Sequence, residues 1–194
     1  MAELSPLLAA RWSPHAFDPS VELTDGEVTS LLEAARWAPS AGNRQPWRFL
    51  LGRRADEAYK RIFVHLAAEN QRWAGHASAL LLGAYLVPAV AHAPGRAGHD
   101  PEQAAYDLGQ AVAHLTVQAG TLGLHVHQMT GFDRDGIALD LGLSDDVHPH
   151  VVVAVGRLGD PLSLPEDLRR RETELRRRRP ATDLLLGLGR PTTG

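Results

Sequence analysis

Cysteine is absent from the 194 residues. Disulfides, iron–sulfur clusters, thiolate zinc sites and a cysteine nucleophile are thereby excluded. No apolar run reaches the roughly 20 residues that a membrane-spanning helix requires. The longest, from Ala79 to Ala91, is interrupted by Gly83, Tyr85 and Pro88, so no membrane partner is expected. The first residues include acidic Glu3 and no basic stretch ahead of an apolar core. They do not read as a secretory signal, and a cytoplasmic location is the expectation. Lysine is almost missing as well: Lys60 is the only one, and every other cationic side chain is arginine. Arginine suits bidentate phosphate binding, although heavy Arg use also follows from codon composition. The formal net charge of −3 argues against a general nucleic-acid binder.

What is present fits one compact domain, or half of an intertwined dimer, at 44% apolar content. Thr24 and Glu27 form a capping box, with Leu23 and Val28 as the hydrophobic staple. The helix that follows buries Val28, Leu31, Leu32 and Ala35 and ends near Ala38, because Pro39 disfavours a helical residue before it. Trp47 to Leu51 reads as a strand and Asp56 to Asn70 as a helix. Ser78 to Val87 reads as a buried strand, with a helix left open by its length and composition. Ala93 to Pro101 reads as a loop. Leu108, Val112, Leu115, Ala119 and Leu122 mark the clearest helix, stopped by Gly123, and its Gly109, Ala111, Ala113 and Gly120 leave small faces for a close neighbour. A strand at His125 to Met129, a short helix from Asp133 to Leu141 and a buried strand at Val151 to Gly156 complete the pattern. Without a βαβ rhythm, the class is α+β. From Arg169 to Arg179 lie seven arginines, followed by Pro180 and an apolar Leu184-Leu185-Leu186, which together look like an arm.

Two clusters carry candidate chemistry. In Arg11-Trp12-Ser13-Pro14-His15-Ala16-Phe17, extended backbone lets Arg11 and Ser13 face one anion with a guanidinium fork and a hydroxyl. A surface Arg beside a turn is the plainer reading. In Ala38-Pro39-Ser40-Ala41-Gly42-Asn43-Arg44-Gln45-Pro46-Trp47, two prolines stiffen a polar loop in which Ser40, Asn43 and Gln45 supply donors and acceptors. Ten histidines raise a metal hypothesis, with His125-x-His127 and His148-x-His150 each on one face of a strand. No His-Glu-x-x-His motif or defined third ligand supports it.

Together the two clusters resemble the nitroreductase family, in which an Arg-x-Ser-x-basic-x-Phe segment precedes a capped helix and an Ala-Pro-Ser-x-x-Asn-x-Gln-Pro-Trp loop. The likeness continues, collinearly, through Asn70 to Ser78, the helix from Tyr106, Met129-Thr130-Gly131-Phe132-Asp133, the strand ending at Gly156-Arg157, and the basic segment before Pro180. The resemblance implies an α-β-α sandwich with a central, mostly antiparallel sheet. It also implies an intertwined homodimer with an exchanged C-terminal arm and noncovalent FMN at the interface. Residues 1–168 would form the FMN-binding body, and residues 169–194 the basic segment and the arm around the partner. Arg11, Trp12 and Ser13 would hold the FMN phosphate end with Arg176 and Arg178, in a register uncertain by one residue. Pro39, Ser40, Asn43 and Gln45 would reach the flavin from the partner chain. Asn70 would bond the pyrimidine end, and Thr130 and Gly131 would present a backbone N–H near N5. The implied reaction is ping-pong electron transfer from NADH or NADPH to a small acceptor such as a nitroaromatic, quinone or activated alkene. Alternatives are a non-catalytic FMN protein for storage or sensing, and a flavin-dependent dehydrogenase or oxidase. Trp73 and Phe132 are aromatic candidates for substrate stacking, with core packing the plainer role.

One departure from the family pattern stands out. Relatives place Lys or Arg at the position of His15, and some place a basic residue at that of Trp73. Here neither position holds a fixed charge. A histidine that titrates near neutral pH stabilises negative charge on reduced flavin less than a permanent cation does. Replacing His15 by Arg is expected to raise the potential of bound FMN in an anaerobic redox titration. An unchanged potential with FMN still bound would refute this role.

Overall fold

Two fully buried strands dictate the architecture. The computed structural model describes residues 3–87 and 100–186. In it β1 (Trp47–Arg53), β2 (Ala79–Leu86), β3 (His125–Met129) and β4 (Val147–Gly156) form one sheet, ordered β1-β2-β4-β3, with each neighbouring pair antiparallel. Leu81, Val151, Val153 and Val155 face one side, and Leu80, Leu82, Val152 and Ala154 the other, all buried. A strand covered on both faces gains nothing from polar alternation, so these segments read as uninterrupted apolar runs. The segment open to either reading, Ser78 to Val87, is therefore a strand, β2.

Helices close both faces, giving the expected α-β-α layering. On the first face α2 (Asp25–Arg36) and α5 (Pro101–Thr121) pack Val28, Leu31 and Ala35 with Leu108, Val112, Leu115 and Ala119. The other face carries α3 (Glu57–Val64), α4 (Ala68–Ala74), α6 (Arg134–Leu141) and α7 (Glu166–Thr173), anchored by Tyr59, Ile62, Trp73, Ile137 and Leu168. The short α1 (Pro6–Ala10) lies against α5. At its 21 residues, α5 is about 32 Å long. The loop expected at Ala93 to Pro101 falls mostly outside the described residues, which resume at Asp100, the N-cap of α5.

The expected single helix from Asp56 to Asn70 is two helices. Between them Leu66 leaves the helical path to form a bridge with Phe132. The amide of Ala67 donates to the carbonyl of Gly131 and that of Asp133 to the carbonyl of His65, 3.0 and 2.9 Å respectively. The carbonyls freed at the end of α3 are met by Gln71 Nε2, 2.9 to 3.2 Å from those of Phe63, Val64 and Leu66. Tertiary pairing thus overrides local helix propensity, and it places Asn70 beside Gly131.

The basic segment starts as a docked helix. Helix α7 crosses residue 169 and buries Leu168 and Glu172, whereas Leu175, Leu184, Leu185 and Leu186 beyond it are exposed.

The capping box at α2 is complete: Glu27 N donates to Thr24 Oγ1 at 3.2 Å and Thr24 N to Glu27 Oε2 at 2.8 Å. Thr24→Ala should cost about 1 kcal/mol. Urea unfolding should show a lower midpoint at an unchanged slope.

Candidate functional site

Strand β3 acts as a rail along which the N-terminal segment is laid. His125, His127 and Met129 alternate onto one face of it. The Trp12 ring meets His125 edge-on at 6.4 Å, and His15 meets His127 at 4.8 Å. His127 Nδ1 lies 2.8 Å from the Pro14 carbonyl. Because a carbonyl only accepts, His127 Nδ1 carries the proton. Burial pushes the His127 pKa down, opposed by that hydrogen bond and assisted by His15.

What holds His15 is a carboxylate. Glu172 of α7 is buried, and its Oε2 accepts from the His15 amide at 2.8 Å and lies 3.0 Å from His15 Nδ1. Its Oε1 accepts from the Ala16 amide at 3.1 Å. Burial alone would raise the Glu172 pKa. The hydrogen bonds from the His15 ring and the two amides outweigh that and hold it below the usual carboxylate value. Helix α7 is clamped a second time by Arg72 of α4, whose two terminal nitrogens reach Asp167 at 2.8 and 2.7 Å. That fork lowers the Asp167 pKa to about 2.

Past α7 the chain returns to the N-terminal segment. Arg176 Nη1 donates to the Arg11 carbonyl at 2.8 Å, and Arg11 Nη1 to Ser13 Oγ at 3.3 Å. Burial, then the charges of Arg178 and Arg176, press the Arg11 pKa down. Three guanidinium groups and a hydroxyl therefore gather in one place. Such mutual repulsion is relieved by an anion with several oxygens. Trp12 and Arg11 also line an apolar cleft of about 140 Å³ with Leu7, Gly120 and His125.

At the other end of β3, Asn70 Nδ2 donates to the Gly131 carbonyl at 3.0 Å, which leaves Asn70 Oδ1 as an acceptor beside Thr130 and Gly131. From His125 to Met129 the rail covers about 13 Å. Arg11, Ser13, Arg176 and Arg178 thus mark one end, His15 the middle, and Asn70 with Gly131 the other end.

The loop of Pro39, Ser40, Asn43 and Gln45 is elsewhere. It precedes β1, at the opposite edge of the sheet. The register Trp47–Tyr85–His148 puts its end level with His148, whereas His125 is level with Gly156. The separation is about 14 Å across the strands and about 27 Å along them. Gly42, Asn43 and Gln45 all have positive φ, 57°, 54° and 49°. Gln45 N donates to Ser40 Oγ at 3.0 Å and Gln45 Nε2 to Asn43 Oδ1 at 3.0 Å. Buried Asp107 of α5 ties the loop down by accepting from the Ala41 amide at 3.1 Å.

Trp73 is 2% exposed and packs against His15, Phe17 and His127, which makes it a core residue rather than a stacking platform. Phe132 is half-buried beneath the Arg134 guanidinium. His148 and His150 flank the Tyr85 ring at 5.3 and 5.6 Å. Among the described residues no group of three or more His, Asp or Glu is placed to hold a metal.

Sequence reasoning missed Glu172 and Asp107. A glutamate among seven arginines reads as one side of a solvated face, and the only hint was its helical spacing from Leu168. Asp107 had no signal beyond its place on the strongly apolar α5.

The structure is thus a layered α+β body with an arginine-rich corner at Arg11 and Ser13. Residues 8–157 match the nitroreductase family, and the chain belongs to that family. An uncharacterized 15.4 kDa protein of Mycolicibacterium smegmatis is 35% identical over 139 residues, covering 68% of this chain and 88% of that protein. A Streptomyces coelicolor protein, provisionally named NADH dehydrogenase/NAD(P)H nitroreductase, is 31% identical over 151 residues, 71% of this chain and 74% of its own. A crystal structure of an FMN-containing oxidoreductase superposes with a TM-score of 0.87 at 36% identity, covering 98% of this chain and 94% of that one.

Glu172 has a folded-state pKa below its unfolded value, near 4.5. Its contribution to stability is therefore present above pH 4.5 and lost as pH falls through the folded value. Asp167 acts in the same sense, from 3.8 down to about 2. Urea midpoints are expected to fall on acidification through this range, less steeply in Glu172→Gln. Parallel pH profiles for the two proteins would count against the assignment.

Proposed function

We propose that the protein is an FMN-dependent oxidoreductase that takes electrons from NADH or NADPH and passes them, by a ping-pong mechanism, to a small electron-poor acceptor such as a nitroaromatic, quinone or activated alkene. The observation that carries this reading is the convergence of Arg176 and Arg178 on Arg11, which itself reaches Ser13. Those groups fit a phosphate monoester in charge and in donor number. The proposal draws further support from the family and from the FMN-containing oxidoreductase that this chain resembles over nearly its whole length.

FMN, when bound, supplies hydride acceptance and return. The protein's own groups supply position and charge. Arg11, Ser13, Arg176 and Arg178 neutralise the phosphate, with Trp12 beside them. Asn70 offers Oδ1 to a pyrimidine N–H, and its Nδ2 bond to Gly131 fixes the Thr130–Gly131 backbone where the reacting edge of the ring would lie. His15, between the two ends, faces the middle of the track.

The Pro39 to Gln45 loop would complete the site from a second copy. Within one chain it is too far from Arg11 for one mononucleotide to touch both. A homodimer is the natural arrangement, and the exposed apolar surface supports it. Leu8, Trp37, Tyr106, Leu184, Leu185 and Leu186 are exposed, and the space outside Gly109 of α5 is open. Burying such side chains is worth roughly 1.5–3 kcal/mol each. Residues 169–194 would supply the phosphate-binding arginines and then an arm across the partner.

Purified protein is expected to be yellow and to bleach on anaerobic addition of NADH or NADPH. Arg176→Ala should weaken FMN binding about tenfold to a hundredfold, measured by flavin fluorescence. A yellow protein that never bleaches would point instead to flavin storage or sensing. A colourless protein that refuses added FMN would remove both readings.

A further inference from the structure

The buried Glu172 carboxylate has no part in binding phosphate, and its two oxygens are fully engaged by residues 15 and 16. Its side chain is 1% exposed and that of His15 is 18% exposed. An ionised carboxylate can only accept. The 3.0 Å contact therefore requires a proton on His15 Nδ1, and Nε2 is the nitrogen left to change its protonation. His127 is fixed in the same way, with Nδ1–H committed to the Pro14 carbonyl. The groups facing His15 are Glu172 from α7, His127 from β3 and the Trp73 ring from α4, and the charge of Arg11, from the same segment as His15, bears on the adjoining His127. Glu172 is the one anion among them.

We propose that Glu172 is a positioning residue that holds His15 as the Nδ1–H tautomer and makes His15 Nε2 the proton-exchanging atom of the site, in place of a permanent cation. The part concerning flavin rests on the function proposed above. A hydride delivered to the bound cofactor adds one negative charge to the site. A proton taken from water by His15 Nε2 cancels that charge, and it returns to water when the electrons leave. The resulting imidazolium is stabilised by Glu172, whose charge is already present, so no further group has to ionise. Family members with Lys or Arg at this position have no such coupling available, because their charge does not change.

The pairing can be read directly by nitrogen NMR of histidine-labelled protein, titrated across neutral pH with FMN bound and again without it. His15 Nδ1 is expected to stay protonated on both sides of the titration while Nε2 changes. In Glu172→Gln the His15 midpoint should fall, because the adjacent anion is gone, and the tautomer preference should be lost. Loss of the proton from Nδ1 in the wild-type protein overturns the proposal, and needs no variant to be seen. An unmoved midpoint in folded Glu172→Gln overturns it equally. With FMN bound, the pH dependence of the flavin potential should break at the His15 midpoint and move with it in Glu172→Gln. A break that stays put while the midpoint moves overturns the proton-exchange role. Failure to bind FMN instead overturns the flavin reading, and the flavin-free titration still decides the Glu172–His15 pairing.

Discussion

The arrangement depends on one buried carboxylate. Placing a charge such as that of Glu172 in the interior costs several kcal/mol if it is left alone. Here two backbone amides and an imidazole N–H surround it. The same bonds tie α7, near the end of the chain, to residues 15 and 16 near its beginning. Arg176, three residues beyond α7, is thereby brought to Arg11. The carbonyl of Arg11 takes a guanidinium hydrogen bond from Arg176, and Ser13 stays within reach of Arg11. Cut the carboxylate away and the anion-binding corner separates into two loose ends. The Arg72–Asp167 fork, partly exposed to solvent screening, is a secondary fastening.

The opposite corner of the sheet repeats the device with different parts. Three residues of the Ala41 to Gln45 turn have positive φ, two of them not glycine. Such conformations cost of order 1–3 kcal/mol each and persist only where surroundings impose them. Asp107 and the Ser40 hydroxyl impose them here, by taking the amides of Ala41 and Gln45. Strain of this kind collects where a backbone has to present itself to something else. In both corners, then, a buried acid on a helix fixes the backbone of a polar segment that carries the binding groups.

Much of the fold was legible because the signals were local. The Thr24–Glu27 box, the Leu108 to Leu122 periodicity and the valine run of β4 each point to one element regardless of distant contacts. The long helix from Asp56 failed as a reading because its break at Leu66 is caused by Phe132, some 66 residues along. The candidate site divided in the same way. Arg11 and Ser13 were visible as a spaced pair and Asn70 and Gly131 through the family resemblance, and the structure arranges them along one strand. Glu172 and Asp107 act through backbone amides far away in sequence, and no spacing rule records that. Trp73 follows the plainer of its two readings: it is buried against His15, Phe17 and His127.

Charge placement links these points to chemistry. The family pattern described above has a permanent cation at the position of His15. At this position the chain instead has a histidine already bonded to an anion. Glu172 is the one anion beside His15 and His127, so a proton on His15 Nε2 would offset its charge. A site built in this way is least hospitable to added electrons when no proton is at hand, and becomes hospitable as one binds. On the function proposed above, the guanidinium trio at the far end would not remove that condition, because its charge would be spent on the phosphate it gathers around. On the proposal above, the electron affinity of the bound cofactor would be set by an exchangeable proton, and the residue that would define the exchanging atom is the same carboxylate that ties α7 to residues 15 and 16.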